Sequence, residues 1–132
     1  KLLWESIKKS LSVVTKDIDA ITSLHLYNGD ASVFLPELLD LPVDRIGIDP
    51  YTTDLRNFFG TAPKFLEIGV INSKNSLVEE PDAIADYANQ VIEKIKPNGL
   101  ALVPNRPLEL LPRKIAIKKA ENLAKAAETL SK

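Results

Sequence analysis

"KFLEIGVI" (residues 64–71), "PDAIADYANQVIEKI" (81–95) and "GLALVP" (99–104) together decide how this chain folds. The first and last are short apolar runs with the length of buried strands. The middle one carries Ile84, Tyr87, Ala88, Val91, Ile92 and Ile95 at helical spacing. Pro81 suits its first turn, and "KPNG" (96–99) stops it. A strand, a helix and a second strand in this order form a βαβ unit, which sets two strands parallel in one sheet.

The same alternation continues outward. Upstream, "AITSLHL" (20–26) and "RIGID" (45–49) read as strands. "SVFLPELLDL" (32–41) reads as a short helix, with Pro36 near its first turn or kinking it. "TTDLRNFFG" (52–60) reads as another, with Thr52 or Thr53 as N-cap and Gly60 beyond its end. Trp4, Ile7, Leu11 and Val14 make one stripe of an N-terminal helix. The last helix runs from about Pro112 to the end, with Ala116, Ala120, Leu123, Ala127 and Leu130 as its buried face. The expected fold is therefore α/β: a helix, then four β-α units with parallel strands near 20–26, 45–49, 65–71 and 99–103. These strands are expected in sequential order with right-handed helical crossovers. Their apolar middles suit strands covered on both faces.

Two architectures satisfy this pattern. One is a small open sheet. The other is half of a (β/α)8 barrel, since a whole barrel takes ~250 residues and this chain has 132. Four strands alone leave two apolar edges, which a second copy, another chain or a missing N-terminal half would cover. Residues 1–132 are accordingly read as one half-barrel segment.

Composition narrows the function classes. The formal net charge of −1 gives no general attraction to nucleic acid or anionic membranes. No apolar run approaches the ~20 residues of a membrane span, and a cytoplasmic setting is expected. With no cysteine there is neither a disulfide framework nor a thiolate metal site. Methionine is also absent, even at position 1, so the chain reads as processed or a fragment.

Both architectures place functional residues where strands end. His25, Tyr27, Asn28 and Asp30 follow the first strand, Asp49 and Tyr51 the second. Asn72, Ser73 and Lys74 follow the third, Asn105 and Arg106 the fourth. Each has a plain reading beside the functional one. His25, the single histidine, is a ligand, an acid–base group or a hydrogen-bonded structural residue. Asp49, before Pro50, opens a turn or pairs with Arg106. Tyr27 lines a site or only packs. Lys74, Asn72 and Arg106 bind a carboxylate or phosphate, or are solvated. The Lys/Glu alternation of the last helix reads as a solvated face.

"LPRKIAIKKAENLAKAAE" (111–128) after "VPNRPLEL" (103–110) resembles the end of the catalytic domain of cobalamin-independent methionine synthases, especially the short archaeal form. There the last strand runs into Asn-Pro-Asp-Cys-Gly-Leu, then Pro-Arg and a helix of this kind. "LHLYNGD" (24–30) is similar to that family's His-x-Cys strand end, and "RIGID" to the strand that ends in its acidic ligand. "IGVINSKNSLVEEPDAIADYANQVIEKI" (68–95) resembles its Gly-Val-x-Asp-x-Lys-Ser-Pro-x-Val-Glu-Ser segment. The resemblance runs from Lys1 to Leu130 and implies the C-terminal half of a (β/α)8 barrel.

It also implies a chemistry. The family holds zinc with one histidine, two cysteines and an acidic residue. The metal keeps homocysteine as a thiolate that takes a methyl group from a folate-type donor. His25 matches the histidine and Asp49 the acid, one carbon shorter. Tyr27 stands at the first cysteine position and Arg106 at the second, so no tightly bound zinc is expected. Two readings follow. One is a divergent methyltransferase of this type, with His25, Tyr27, Asp49, Lys74, Asn105 and Arg106 around a small-molecule substrate. The other is a non-catalytic subunit or half-barrel that binds a small anion. His25, Asp49 and Arg106 are expected to converge at the strand ends, with Tyr27 and Lys74 nearby.

Overall fold

In the computed structural model, which describes residues 2–131, the order is α1 (Leu2–Thr15), β1 (Ser23–Leu26), β2 (Arg45–Ile48), β3 (Leu66–Ile71), α2 (Pro81–Ile95), β4 (Leu100–Pro104) and α3 (Arg113–Leu130). Lys1 and Lys132, the outermost positions of the expected 1–132 segment, lie outside the described residues. The four strands pair parallel in the order β1-β2-β3-β4, as expected for consecutive turns of a half barrel. Among the described residues, no helix is long and apolar enough to cross a membrane.

The crossovers differ from expectation at two places. After β1 and β2 the chain forms short 3-10 turns, Ala31–Phe34, Glu37–Asp40 and Leu55–Phe58, instead of α-helices. Pro36 divides the first pair because the residue before a proline is driven out of the helical region, and Leu35 is extended at φ −78°, ψ 146°. The third turn is capped by Asp54, not by Thr52 or Thr53; its carboxylate accepts the Arg56 N–H at 3.0 Å. The Thr53 hydroxyl instead accepts the Ala31 N–H at 3.1 Å and ties the two loops together.

In-register residues of parallel strands share a face, and alternate residues share it along a strand. One face therefore carries Leu24, Leu26, Ile46, Ile48, Leu66 and Ile68. Ile46, Ile48, Leu66 and Ile68 are buried in a core that also contains Ile84, Ala85, Val91 and Ile95 of α2 and Ala126 of α3. Each fully buried Leu or Ile contributes about 1.5–3 kcal/mol. The opposite face carries Ser23 and His25, then Arg45 and Gly47, then Glu67 and Gly69, then Ala101 and Val103. This face is polar, so the expectation of strands apolar on both sides holds for one side only. The edge strands β1 and β4 are partly exposed along their length, whereas β2 and β3 are mostly buried.

Helix faces shift in detail. In α1, Trp4, Ile7 and Leu11 pack on the core, but Val14, in the last turn, is 68 % exposed. In α2, Ile92 faces outward and Ala85 takes its place in the core. In α3 the buried residues are Lys119, Asn122 and Ala126, while Ala120 and Ala127 are exposed. The solvated-face reading of the last helix fails at Lys119.

Candidate functional site

The polar face leads upward to the C-terminal ends of the strands. Small residues on it allow close approach. A Cβ on Gly47 would lie 2.5 Å from Cγ and Nδ1 of His25, so the imidazole lies directly over the β2 backbone. A Cβ on Gly69 would lie 2.6 Å from the Asn105 Cα, so β4 folds over the end of β3. These glycines serve close approach.

Asp49, just past β2, is fully buried. Its Oδ1 accepts the Tyr51 N–H at 2.9 Å and the Asn105 Nδ2–H at 3.2 Å. Asn105 is also fully buried, and its Oδ1 accepts both the N–H and the hydroxyl of Ser73 at 2.9 Å each. Ser73, Asn105 and Asp49 thus form one buried polar chain across the ends of β3, β4 and β2. Asp49 opens a turn, as one of its two readings held. Its pairing with Arg106 does not form: among the described residues, Arg106 makes no ion pair.

Three buried polar atoms lack a hydrogen-bond partner among the described residues: His25 Nε2, Asp49 Oδ2 and Arg106 Nε. They belong to the three residues expected to converge at this mouth. His25, Tyr27, Asn105 and Arg106 line a hollow of 320 Å³, closed on its apolar side by Pro104, Pro107 and Leu108. The Arg106 guanidinium lies 5.7 Å from the Tyr27 ring centroid, and the His25 ring lies 6.2 Å from it. β1 and β4 are opposite edges of the sheet, about 14 Å apart if the sheet were flat, from three spacings of about 4.8 Å. The long side chains of Tyr27 and Arg106 meet across that span.

Burial lowers the His25 pKa below the usual histidine value, and the charges of Glu67 and Asp49 partly oppose this. The imidazole is therefore neutral at pH 7. Glu67 is itself engaged: it accepts the Ser23 hydroxyl at 2.7 Å and pairs with Arg45 at 3.5 Å.

Lys74 differs from expectation. Its own N–H donates to Asn72 Oδ1 at 2.9 Å in an exposed turn, and it does not line the hollow. The buried cation of that loop is Lys119 of α3, which sequence reading missed. Its ammonium donates to Asn72 O, Leu77 O and both oxygens of Glu79, and Glu79 also accepts the Asn72 N–H. Its place in the helix stripe, between Ala116 and Ala126, was the available signal. A larger hollow of 370 Å³ lies between Tyr51, Val70, Ile84 and Tyr87. Its charged group, Glu79, is saturated by Lys119, and burial pushes the Tyr87 hydroxyl up to about 12. The mouth is therefore the site with unmet polar groups.

No protein-family model matches the chain. It is 30% identical over 128 residues to a methionine synthase of Sulfolobus acidocaldarius, covering 92% of this chain and 35% of that protein. It is 29% identical over 126 residues to a methionine synthase of Sulfurisphaera tokodaii, covering 94% of this chain and 36% of that protein. The chain thus spans about a third of the length of these curated relatives. Its fold matches a B12-independent methionine synthase from a Shewanella species, solved in complex with selenomethionine. The TM-score is 0.80 at 14% identity, over 98% of this chain and 45% of that one. By its sequence over nearly its whole length and by its fold, the chain belongs to the cobalamin-independent methionine synthase family, as a half of that family's (β/α)8 barrel.

Proposed function

We propose that this chain is one half of a methionine-synthase-type methyltransferase barrel whose mouth binds the sulfur amino acid directly, without zinc. One observation carries the reading. At the strand ends an imidazole and a carboxylate keep free buried atoms, while Tyr27 and Arg106 stand at the hollow in the two cysteine positions of the resemblance. A catalytic zinc takes about three protein donors plus water. His25 and Asp49 are two, and a permanent guanidinium beside them opposes a metal cation.

The reaction this reading assigns to the completed barrel is methyl transfer from a folate-type donor to homocysteine. Without zinc, the thiol proton needs another acceptor, and neutral His25 has a free nitrogen at the mouth. The selenomethionine bound by the Shewanella relative supports a ligand of this size and class. The other half of the barrel is assigned to further polypeptide: a second copy, another chain or an N-terminal half.

Calorimetric titration of the completed barrel with methionine and homocysteine tests the reading, alongside metal analysis after dialysis against a mild chelator. Binding without zinc is expected. Stoichiometric zinc, lost on His25→Ala, would refute the metal-free mouth. Replacement of both thiolate positions also favours a non-catalytic subunit, and binding without methyl transfer would establish that reading instead.

A further inference from the structure

The mouth contains a cation with no counter-ion. Arg106 has a buried Nε without a partner and makes no ion pair among the described residues. Asp49 does not neutralise it: one carboxylate oxygen accepts from Asn105 and the Tyr51 N–H, and the other makes no ion pair or hydrogen bond with Arg106. Glu67 is committed to Arg45 and Ser23. A partly buried guanidinium left in this state favours an anion, and its planar fork matches a carboxylate. Beside Arg106 the hollow is lined by His25 and Asn105 and by an apolar and aromatic wall of Tyr27, Pro104, Pro107 and Leu108. A site with one carboxylate-matched cation and one apolar wall suits a small carboxylate with an apolar tail.

We infer that Arg106 is the carboxylate anchor of the mouth: an amino acid binds with its carboxylate on the guanidinium and its side chain along Tyr27 and Leu108, with no metal between ligand and protein. This rests on the proposed function and names which end of the ligand Arg106 takes. It makes Arg106 a specificity-determining residue at a position where the family resemblance places a metal-binding thiolate.

The test compares L-methionine with L-methioninol, in which a hydroxymethyl group replaces the carboxylate. Both are titrated in EDTA into the chain purified with the polypeptide that completes its barrel. Losing a charge-assisted hydrogen bond weakens binding by about 10- to 100-fold. Methioninol is expected to bind weaker than methionine by that factor. Arg106→Gln is expected to weaken methionine by a similar factor and leave methioninol unchanged; Arg106→Lys retains part of the affinity. The comparison of the two ligands on the unmodified protein stands even if Arg106→Gln misfolds. Equal binding of methionine and methioninol overturns the inference alone. Failure of methionine and homocysteine to bind the unmodified protein overturns both the inference and the proposed function.

Discussion

Replacing Lys119 by methionine isolates the least expected element of the fold. The side chain is fully buried, and its ammonium answers two backbone carbonyls and the Glu79 carboxylate, at 3.0 and 2.9 Å for the two carboxylate oxygens. Methionine has similar length, so packing is nearly kept while the charge is removed. Glu79 then keeps only the Asn72 N–H, and the carbonyls of Asn72 and Leu77 lose their donor. Removing one partner of a buried pair costs about 3–5 kcal/mol. The Glu79 side chain remains 18% exposed, so water recovers part of its solvation and the lower end, about 3 kcal/mol, is expected. Urea unfolding measures the loss. Adding Glu79→Gln should cost less than the sum of the single changes, with a coupling of about 1–3 kcal/mol. A loss below about 0.5 kcal/mol, typical of a solvated surface lysine, would refute the buried clamp.

Other perturbations probe the mouth. Gly47→Ala drives a methyl group into the His25 ring and should destabilise by about 1–3 kcal/mol, read from chemical denaturation, and weaken methionine binding in the same titration. His25 has a folded pKa below its unfolded value, so the unfolded chain binds more protons as pH falls through that range. Its contribution is fully present above the unfolded value and lost as pH falls through it toward the folded one. Thermal melts should therefore weaken on acidification, and His25→Gln should flatten that dependence; an unchanged slope would exclude His25 as its source. Asp54 has its carboxyl held at about 2 by the side chain and backbone of Arg56, so its cap should persist until pH falls near that value, as a carboxyl NMR titration would show.

Much of this was legible in the sequence because strand and helix periodicity is a local property. The βαβ unit over 64–104 and the strand near 45–49 appear within a residue or two of expectation. Sequence reading failed where partners come from elsewhere in the chain. Pro36 was visible as a breaker, but its consequence, two 3-10 turns, depends on how the loop returns to β2. Lys119 looks like its solvated neighbours until the loop carrying Glu79 folds over α3. At the mouth, His25 and Asp49 were found from their strand-end positions. The commitment of Asp49 to Asn105, rather than to Arg106, depends on β4 crossing the Gly69 backbone, which no local pattern encodes.

The charge balance of the mouth connects these details to ligand choice. In the family set, a zinc dication faces two thiolates and a carboxylate, leaving one net negative charge on the cluster. Here Arg106 lines the hollow without an ion pair among the described residues, and Asp49 is held by Asn105 instead. An unpaired guanidinium suits a ligand that brings its own carboxylate, as the anchoring proposed for Arg106 requires. The two charges do not collapse onto one another, because Asn105 holds Asp49 from one side and Tyr27 carries the guanidinium on its face from the other. That separation keeps the site open. Asn105 depends on Ser73, and Ser73 lies in the loop that Lys119 ties to α3, so the geometry of the candidate site rests on a chain of contacts running from the last helix to the end of β2.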